Sequence, residues 1–202
     1  MAIYKKHLSQ DVKLATLMTQ APYTLAKRKN TPVRLMASII SQQLSTKVAK
    51  VIFERFIQLY EGKEPTCDQV LATKPELLRS IGLSHSKVQY VQNVAAFFKD
   101  HNITDKQLYK MPAEEVVAML TQIKGVGKWT VEMLLMFSLG HEDVFAVDDL
   151  GIQQAMIRLY KFKYETKKEL QQKMLKKAAT WSPYRTYACL HLWQWKDDKG
   201  AV

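Results

Sequence analysis

Ile123-Lys124-Gly125-Val126-Gly127-Lys128-Trp129-Thr130 joins two stretches of helical periodicity through a glycine-spaced turn. Glycine takes positive φ and lets a second backbone come close, so Gly125 and Gly127 suit a tight hairpin between helices. The amides of Gly125, Gly127 and Lys128 then fall at a helix N-terminus, where unpaired donors and the helix dipole favour an anion. Val126 is expected to point inward and lock the two helices together. A Gly-x-Gly spacing alone more often marks a joint with no ligand. The flanking Lys124 and Lys128, and the net charge, shift the balance toward a phosphate.

Outward from the hairpin the chain reads as helices. Thr31-Pro32 has the form of an N-cap followed by proline at the first helical position. The helix it opens carries Leu35, Ile39 and Ile40, then a polar break at Gln42-Gln43, then Val48, Val51, Ile52, Phe53 and Phe56. Pro75 starts a short helix that stops at Gly82, and Lys87 to Lys99 is amphipathic through Val88, Val91, Val94, Ala95 and Phe98. Pro112-Ala113-Glu114-Glu115 sets acids in the first turn of another helix, and Ser182-Pro183 repeats the cap signal before the last. With no β-alternation and no exact repeat, the expected fold is all-α, about eight to ten helices.

The 202 residues carry 30 Lys+Arg against 19 Asp+Glu, a net charge of +11, which points to a polyanionic partner before a membrane surface. No basic amphipathic tail, lipidation motif or run of 18 apolar residues supports a membrane role. The N-terminus lacks the apolar segment of a signal peptide, so an intracellular protein is expected, in cytoplasm or nucleoid if bacterial and in the nucleus if eukaryotic. Cys67 and Cys189 are too few for a disulfide framework or for the four thiolates of an iron–sulfur cluster. Lys161, Lys163, Lys167, Lys168, Lys173, Lys176 and Lys177 face only Glu165 and Glu169; a solvated helix face is the plain reading, long-range steering the strongest.

Asp149 follows an apolar, strand-like approach, Val144 to Val147, and precedes Ile152, Met156 and Leu159 at helical spacing. It is a natural N-cap, and capping alone would explain it. Its place after the hairpin argues for more. The chain resembles the helix-hairpin-helix DNA glycosylase superfamily, in its 3-methyladenine DNA glycosylase II, alkylation-repair branch. The resemblance rests on Leu35 to Leu44 with its Gln-Gln turn, Ile123 to Leu135, Val144-Phe145-Ala146-Val147-Asp148-Asp149-Leu150-Gly151-Ile152, and Trp181 to Trp193. The hairpin is widespread among DNA-binding proteins; the hairpin with Asp-Asp about twenty residues later is far more specific. Some relatives carry an extra mixed α/β domain before this region, and none is expected within the present 202 residues.

The resemblance implies a base-flipping enzyme in which Asp149, rather than Asp148, is the catalytic carboxylate. Loss of a purine builds positive charge on the deoxyribose, which a carboxylate stabilises, and the same group can orient or deprotonate water. An alkylated purine is already cationic and leaves neutral, so no strong general acid is needed. Lyase relatives place a Schiff-base lysine in the second hairpin helix; the matching residue here is Trp129, with Lys128 one earlier and facing phosphates. Trp129, Met133 and Trp193, with Leu150 beside the carboxylate, are the implied base pocket, the aromatic faces attracting a cationic base. Met133 and Met136 read as well as core. Gln42 and Gln43 are implied DNA contacts with Gln43 as the wedge, or else a surface turn; Lys124, Gly125, Gly127, Lys128 and Thr130 are the implied phosphate contacts. The carbonyls of Thr121, Ile123 and Val126 match a site for Na⁺ or K⁺; no other cofactor is implied.

The expected architecture is two helical lobes about a DNA- and base-binding cleft, residues 35–139 in one and 1–34 with 140–202 in the other, with Asp149 near the junction. The expected partner is duplex DNA with damaged bases, bound by a monomer. Two rivals remain: a non-catalytic helix-hairpin-helix DNA-binding protein, which has no need of Asp149, and a bifunctional glycosylase/lyase for oxidised bases.

Overall fold

The computed structural model describes residues 2–18 and 21–199, and among them there are helices and connections but no β-strand. The chain forms two compact units, Lys27–Leu139 and Met1–Ala26 with Gly140–Val202. Among the described residues, no helix is long and apolar enough to cross a membrane.

The Lys27–Leu139 unit holds α3 (Thr31–Ser41), α4 (Thr46–Gln58), α5 (Cys67–Ala72), α6 (Pro75–Ser80), α7 (His85–Asp100), α8 (Asp105–Leu108), α9 (Ala113–Leu120) and α10 (Lys128–Leu134), which runs on as a π-helical segment, Leu135–Leu139. Helix α3 is its centre: Val33, Leu35, Met36, Ile39 and Ile40 are buried, and the helix packs on α4, α7 and α10. Each such side chain taken from water contributes about 1.5–3 kcal/mol. The Thr31 cap read from the sequence is not what starts this helix. Asn30 is the N-cap, in the left-handed region (φ 62°), and a carboxylate from 74 residues on does the capping. Asp105 accepts from the amides of Asn30 (2.7 Å) and Thr31 (2.9 Å) and from the Thr31 hydroxyl (2.6 Å). Burial alone would raise the Asp105 carboxyl; these bonds outweigh it and hold it below the usual carboxylate range.

The other unit holds α1 (Ile3–Leu8), α2 (Val12–Ala15), α11 (Leu150–Tyr160), α12 (Lys167–Ala178), a 3₁₀ turn (Ala179–Trp181) and α13 (Arg185–Lys199). Counting short turns of four to six residues, the described chain has thirteen α-helices rather than eight to ten. Helices of one turn leave too little periodicity to read. Asp11 ties four elements of this unit together, capping α2 through Leu14 and accepting from the Tyr160 hydroxyl (2.8 Å), the Trp181 indole (3.0 Å) and the Lys177 ammonium (2.7 Å). Val144 to Val147 is buried but forms no strand; the Val144 amide donates to the Thr186 hydroxyl instead. The start of α13 also departs from expectation. Ser182 is not its cap: Asp143 takes the Arg185 amide (3.2 Å) and the Arg185 guanidinium, with the Ser182 hydroxyl as a further donor. Three lysines of the basic stretch are engaged structurally, Lys167 by Asp148, Lys173 by Glu169 and Lys177 by Asp11. Cys67 and Cys189 are not joined in a disulfide.

Candidate active site

The hairpin turn lies between α9 and α10. Val126 and Ile123 are buried, as a hairpin joint requires, and the Val126 amide donates to the Ile123 carbonyl (3.0 Å). Only one of the two glycines needs positive φ. Gly125 sits at φ 101°, and a Cβ there would collide with the ring of Tyr90, which presses against the turn from α7. Gly127 has φ −90°, an ordinary value, and a Cβ would meet nothing within 4 Å. The expectation that both glycines relieve backbone strain is therefore corrected: Gly125 is required by the fold, while Gly127 keeps space open. Asn93 of α7 adds a bond to the Lys124 carbonyl (3.2 Å).

The main-chain amides of Gly125, Gly127 and Lys128 donate to nothing among the described residues. Idle donors beside open space at a helix start are what an incoming anion needs. Lys128 also carries an i,i+4 contact to the buried Glu132 (3.7 Å). Among the oxygens matched to a monovalent cation, the Ile123 carbonyl accepts the turn bond, whereas those of Thr121 and Val126 accept no hydrogen bond among the described residues. Main-chain oxygens without donors suit a hard cation that needs no carboxylate.

Helix α3 ends at the glutamine pair. Gln42 is half-buried, its amide 3.5 Å from the Thr130 hydroxyl, and Thr130 itself is buried, so its side chain braces the turn rather than facing outward. Gln43 is exposed and left-handed (φ 59°), a conformation that costs a non-glycine residue roughly 1–2 kcal/mol. Lys87 supports it: its ammonium donates to the carbonyls of Ile40 (2.8 Å) and Gln42 (2.7 Å). Sequence periodicity passes over Lys87, which in that pattern is only the edge of an amphipathic helix.

On α10, Trp129 is exposed and Met133 half-buried, while Met136 is core. The π segment turns Phe137 outward, so that Met133, Phe137, Arg34 and Ser38 line a recess of about 140 Å³ between α3 and α10. Sequence periodicity does not single out Ser38 or Phe137; a π turn breaks the 3.6-residue period that would have placed Phe137.

In the other unit, Asp149 is the N-cap of α11. Its Oδ1 accepts from the Ile152 amide (2.8 Å) and from the Trp193 indole N–H (2.8 Å) on α13. Two donors from separate helices fix the carboxylate's orientation. Gly151 makes this closure possible: a Cβ there would stand 3.1 Å from both Asp149 Oδ1 and Trp193 Cδ1. Its signal was a glycine in the first turn of a helix, where alanine is about 1 kcal/mol better. Leu150 is 65 % exposed beside it. Asp148 is exposed and engaged elsewhere, by Gln171 (2.6 Å) and Lys167 (3.3 Å) of α12. Adjacent aspartates thus have separate duties, one holding α12 and one held in place by two donors.

Residues 36–180 match the model of the HhH-GPD superfamily base excision DNA repair proteins. The chain is 35% identical over 176 residues to DNA-3-methyladenine glycosylase 1 of Schizosaccharomyces pombe, covering 86% of this chain and 75% of that one. Among solved structures it is similar to the Schizosaccharomyces pombe 3-methyladenine DNA glycosylase Mag1 in complex with abasic DNA (TM-score 0.80, 33% identity, 96% of each chain). It is similar also to a DNA-3-methyladenine glycosidase from Bacillus halodurans (TM-score 0.84, 34% identity, 96% of this chain and 89% of that one).

Proposed function

Since this chain belongs to the HhH-GPD superfamily of base excision DNA repair proteins, we propose that it is a monofunctional DNA glycosylase that removes alkylated purines of the 3-methyladenine type from duplex DNA. The observation that carries the reading is the Asp149 carboxylate, held on Oδ1 by the Ile152 amide and the Trp193 indole. As the bond from C1′ to the base nitrogen breaks, positive charge grows on the sugar. A carboxylate already oriented stabilises that charge with no reorganisation. Asp149 also orients the water whose oxygen bonds to C1′ and takes the proton that water loses; the bonding electrons leave with the base, and a cationic 3-methyladenine departs neutral.

The other residues act on binding and extrusion. The idle amides of Gly125, Gly127 and Lys128 take a backbone phosphate, with Lys124 adding charge. Gln43 fills the space left by the extruded nucleotide, with Gln42 behind it. Trp129, Met133, Leu150 and Trp193 contact the base, Trp193 from the ring whose N–H holds the carboxylate. A Na⁺ or K⁺ ion on the carbonyls of Thr121, Ile123 and Val126 would stiffen the hairpin; no other cofactor takes part. Trp129 stands where lyase relatives carry lysine, and the Lys128 ammonium is turned toward Glu132, which supports hydrolysis without strand cleavage. The protein acts inside the cell, as a monomer.

The test is base release from methylated duplex DNA, with borohydride added in parallel. Release of 3-methyladenine without strand incision or a trapped adduct is expected. An incised strand with a trapped adduct would make it a lyase, and tight binding without release would make it a binding module.

A further inference from the structure

We propose that Lys87 is a positioning residue for base extrusion, locking the Gln42-Gln43 turn in the shape that presents Gln43 to the duplex. The inference rests on the reading of Gln43 as the wedge, and goes beyond it by naming what holds the wedge in place.

Lys87 sits where local rules argue against it. It is the third residue of α7, its amide capped by the Ser84 side chain, and a cation in a first helical turn opposes the dipole. Its half-buried ammonium makes no ion pair among the described residues. The ammonium instead reaches the C-terminus of α3, where the dipole favours a cation, and bridges the carbonyls of Ile40 (2.8 Å) and Gln42 (2.7 Å). Binding two carbonyls two residues apart fixes the plane of the peptide joining Gln42 to Gln43. In that turn Gln43 stands at φ 59°, a left-handed value disfavoured for a residue with a Cβ. Burial lowers the affinity of this ammonium for its proton, the cost of placing it under the turn. Residues that break a local preference at such a cost are found where a functional element is held in shape.

Lys87→Met keeps the aliphatic stem and removes the donors. Single-turnover base release at saturating enzyme should fall about ten- to hundredfold, the scale of a small misplacement of a catalytic constellation. Affinity for undamaged duplex, set by the hairpin, should hold within twofold. The fluorescence rise of 2-aminopurine placed beside the lesion, which reports unstacking, should shrink with the rate, and Lys87→Arg should restore much of both. Thermal melting of each variant checks the fold. The deciding comparison is with Gln43→Ala. If Lys87 acts through the turn, Lys87→Met added to Gln43→Ala slows release little further. Full additivity of the two losses, or an unstacking signal that Lys87→Met leaves intact, would overturn the proposal. A Gln43→Ala variant that releases base normally would instead overturn the wedge reading itself.

Discussion

The hairpin turn and the Asp149 cap are both helix starts, and they treat their donors in opposite ways. At α10 the amides of Gly125, Gly127 and Lys128 are left idle and the space over Gly127 is empty. At α11 the first-turn amide of Ile152 is engaged by Asp149, and an indole from α13 adds a second bond to the same oxygen. One start is kept open for a group from outside; the other is closed around a group of its own. Under the proposed function the same helix chemistry yields a binding surface at one start and a rigid reagent at the other, and one side chain at the N-cap decides which.

The contrast can be pressed first at Gly125. Gly125→Ala forces both a left-handed alanine and a collision with the Tyr90 ring, so it should cost about 3 kcal/mol or more, read as a lower urea midpoint. A midpoint near that of the parent would mean that the turn can relax. Next comes a group that the Asp149 unit leaves without partners. The His191 ring is fully buried, packed by Tyr4 and Tyr23, and neither nitrogen has a hydrogen-bond partner among the described residues. Burial first, and Lys5 second, push its imidazole down to about 4. An unfolded histidine titrates near 6.5, so between these values the unfolded chain binds a proton that the folded one excludes. The His191 contribution is therefore undiminished above about pH 6.5 and is lost as the pH falls toward 4, by about 2 kcal/mol at pH 5. Urea melts at pH 7 and 5 should show that loss, and His191→Leu should remove it; an equal slope in both proteins would assign the loss to other groups.

Smaller effects are expected at Gly127 and Gly151, the two glycines beside the proposed phosphate contact and the proposed catalytic carboxylate. Gly127→Ala should leave stability within about 0.5 kcal/mol. On the proposed reading it should weaken duplex binding about tenfold for all sequences alike, because the new methyl would fill open space assigned to the incoming phosphate. Unchanged affinity would reduce the hairpin to a structural joint. Gly151→Ala should displace the Trp193 indole by a few tenths of an ångström from Asp149. Base release should fall about three- to tenfold, with duplex affinity unaltered. A normal rate would mean that the indole is not needed to orient the carboxylate.

The legibility of the fold and the site in the sequence depends on the range of the interactions. The apolar stripes of α3 and α7, the buried Val126 and the position of Asp149 before Ile152 are local patterns, and they are legible. The caps of α3 and α13 are not, because Asp105 and Asp143 reach them from 74 and 42 residues away and leave Thr31-Pro32 and Ser182-Pro183 looking self-sufficient. Lys87 escapes for the same reason: its partners, Ile40 and Gln42, are 47 and 45 residues distant. Two glycines in one motif look alike in sequence. Only the place of Tyr90 separates the one the fold needs from the one kept clear.

The claim at the centre is that the charge of Asp149, not its capping bond, drives base release. Asp149→Asn retains an oxygen to accept from the Ile152 amide and so keeps the cap. Single-turnover release of 3-methyladenine from duplex DNA, with affinity for the same duplex measured alongside, separates the two roles. Release should fall by about 10²–10³-fold or more while affinity and thermal stability stay close to the parent's. A folded Asp149→Asn protein that released base at near-parent rates would leave Asp149 as a helix cap and return the reaction to a residue not yet identified.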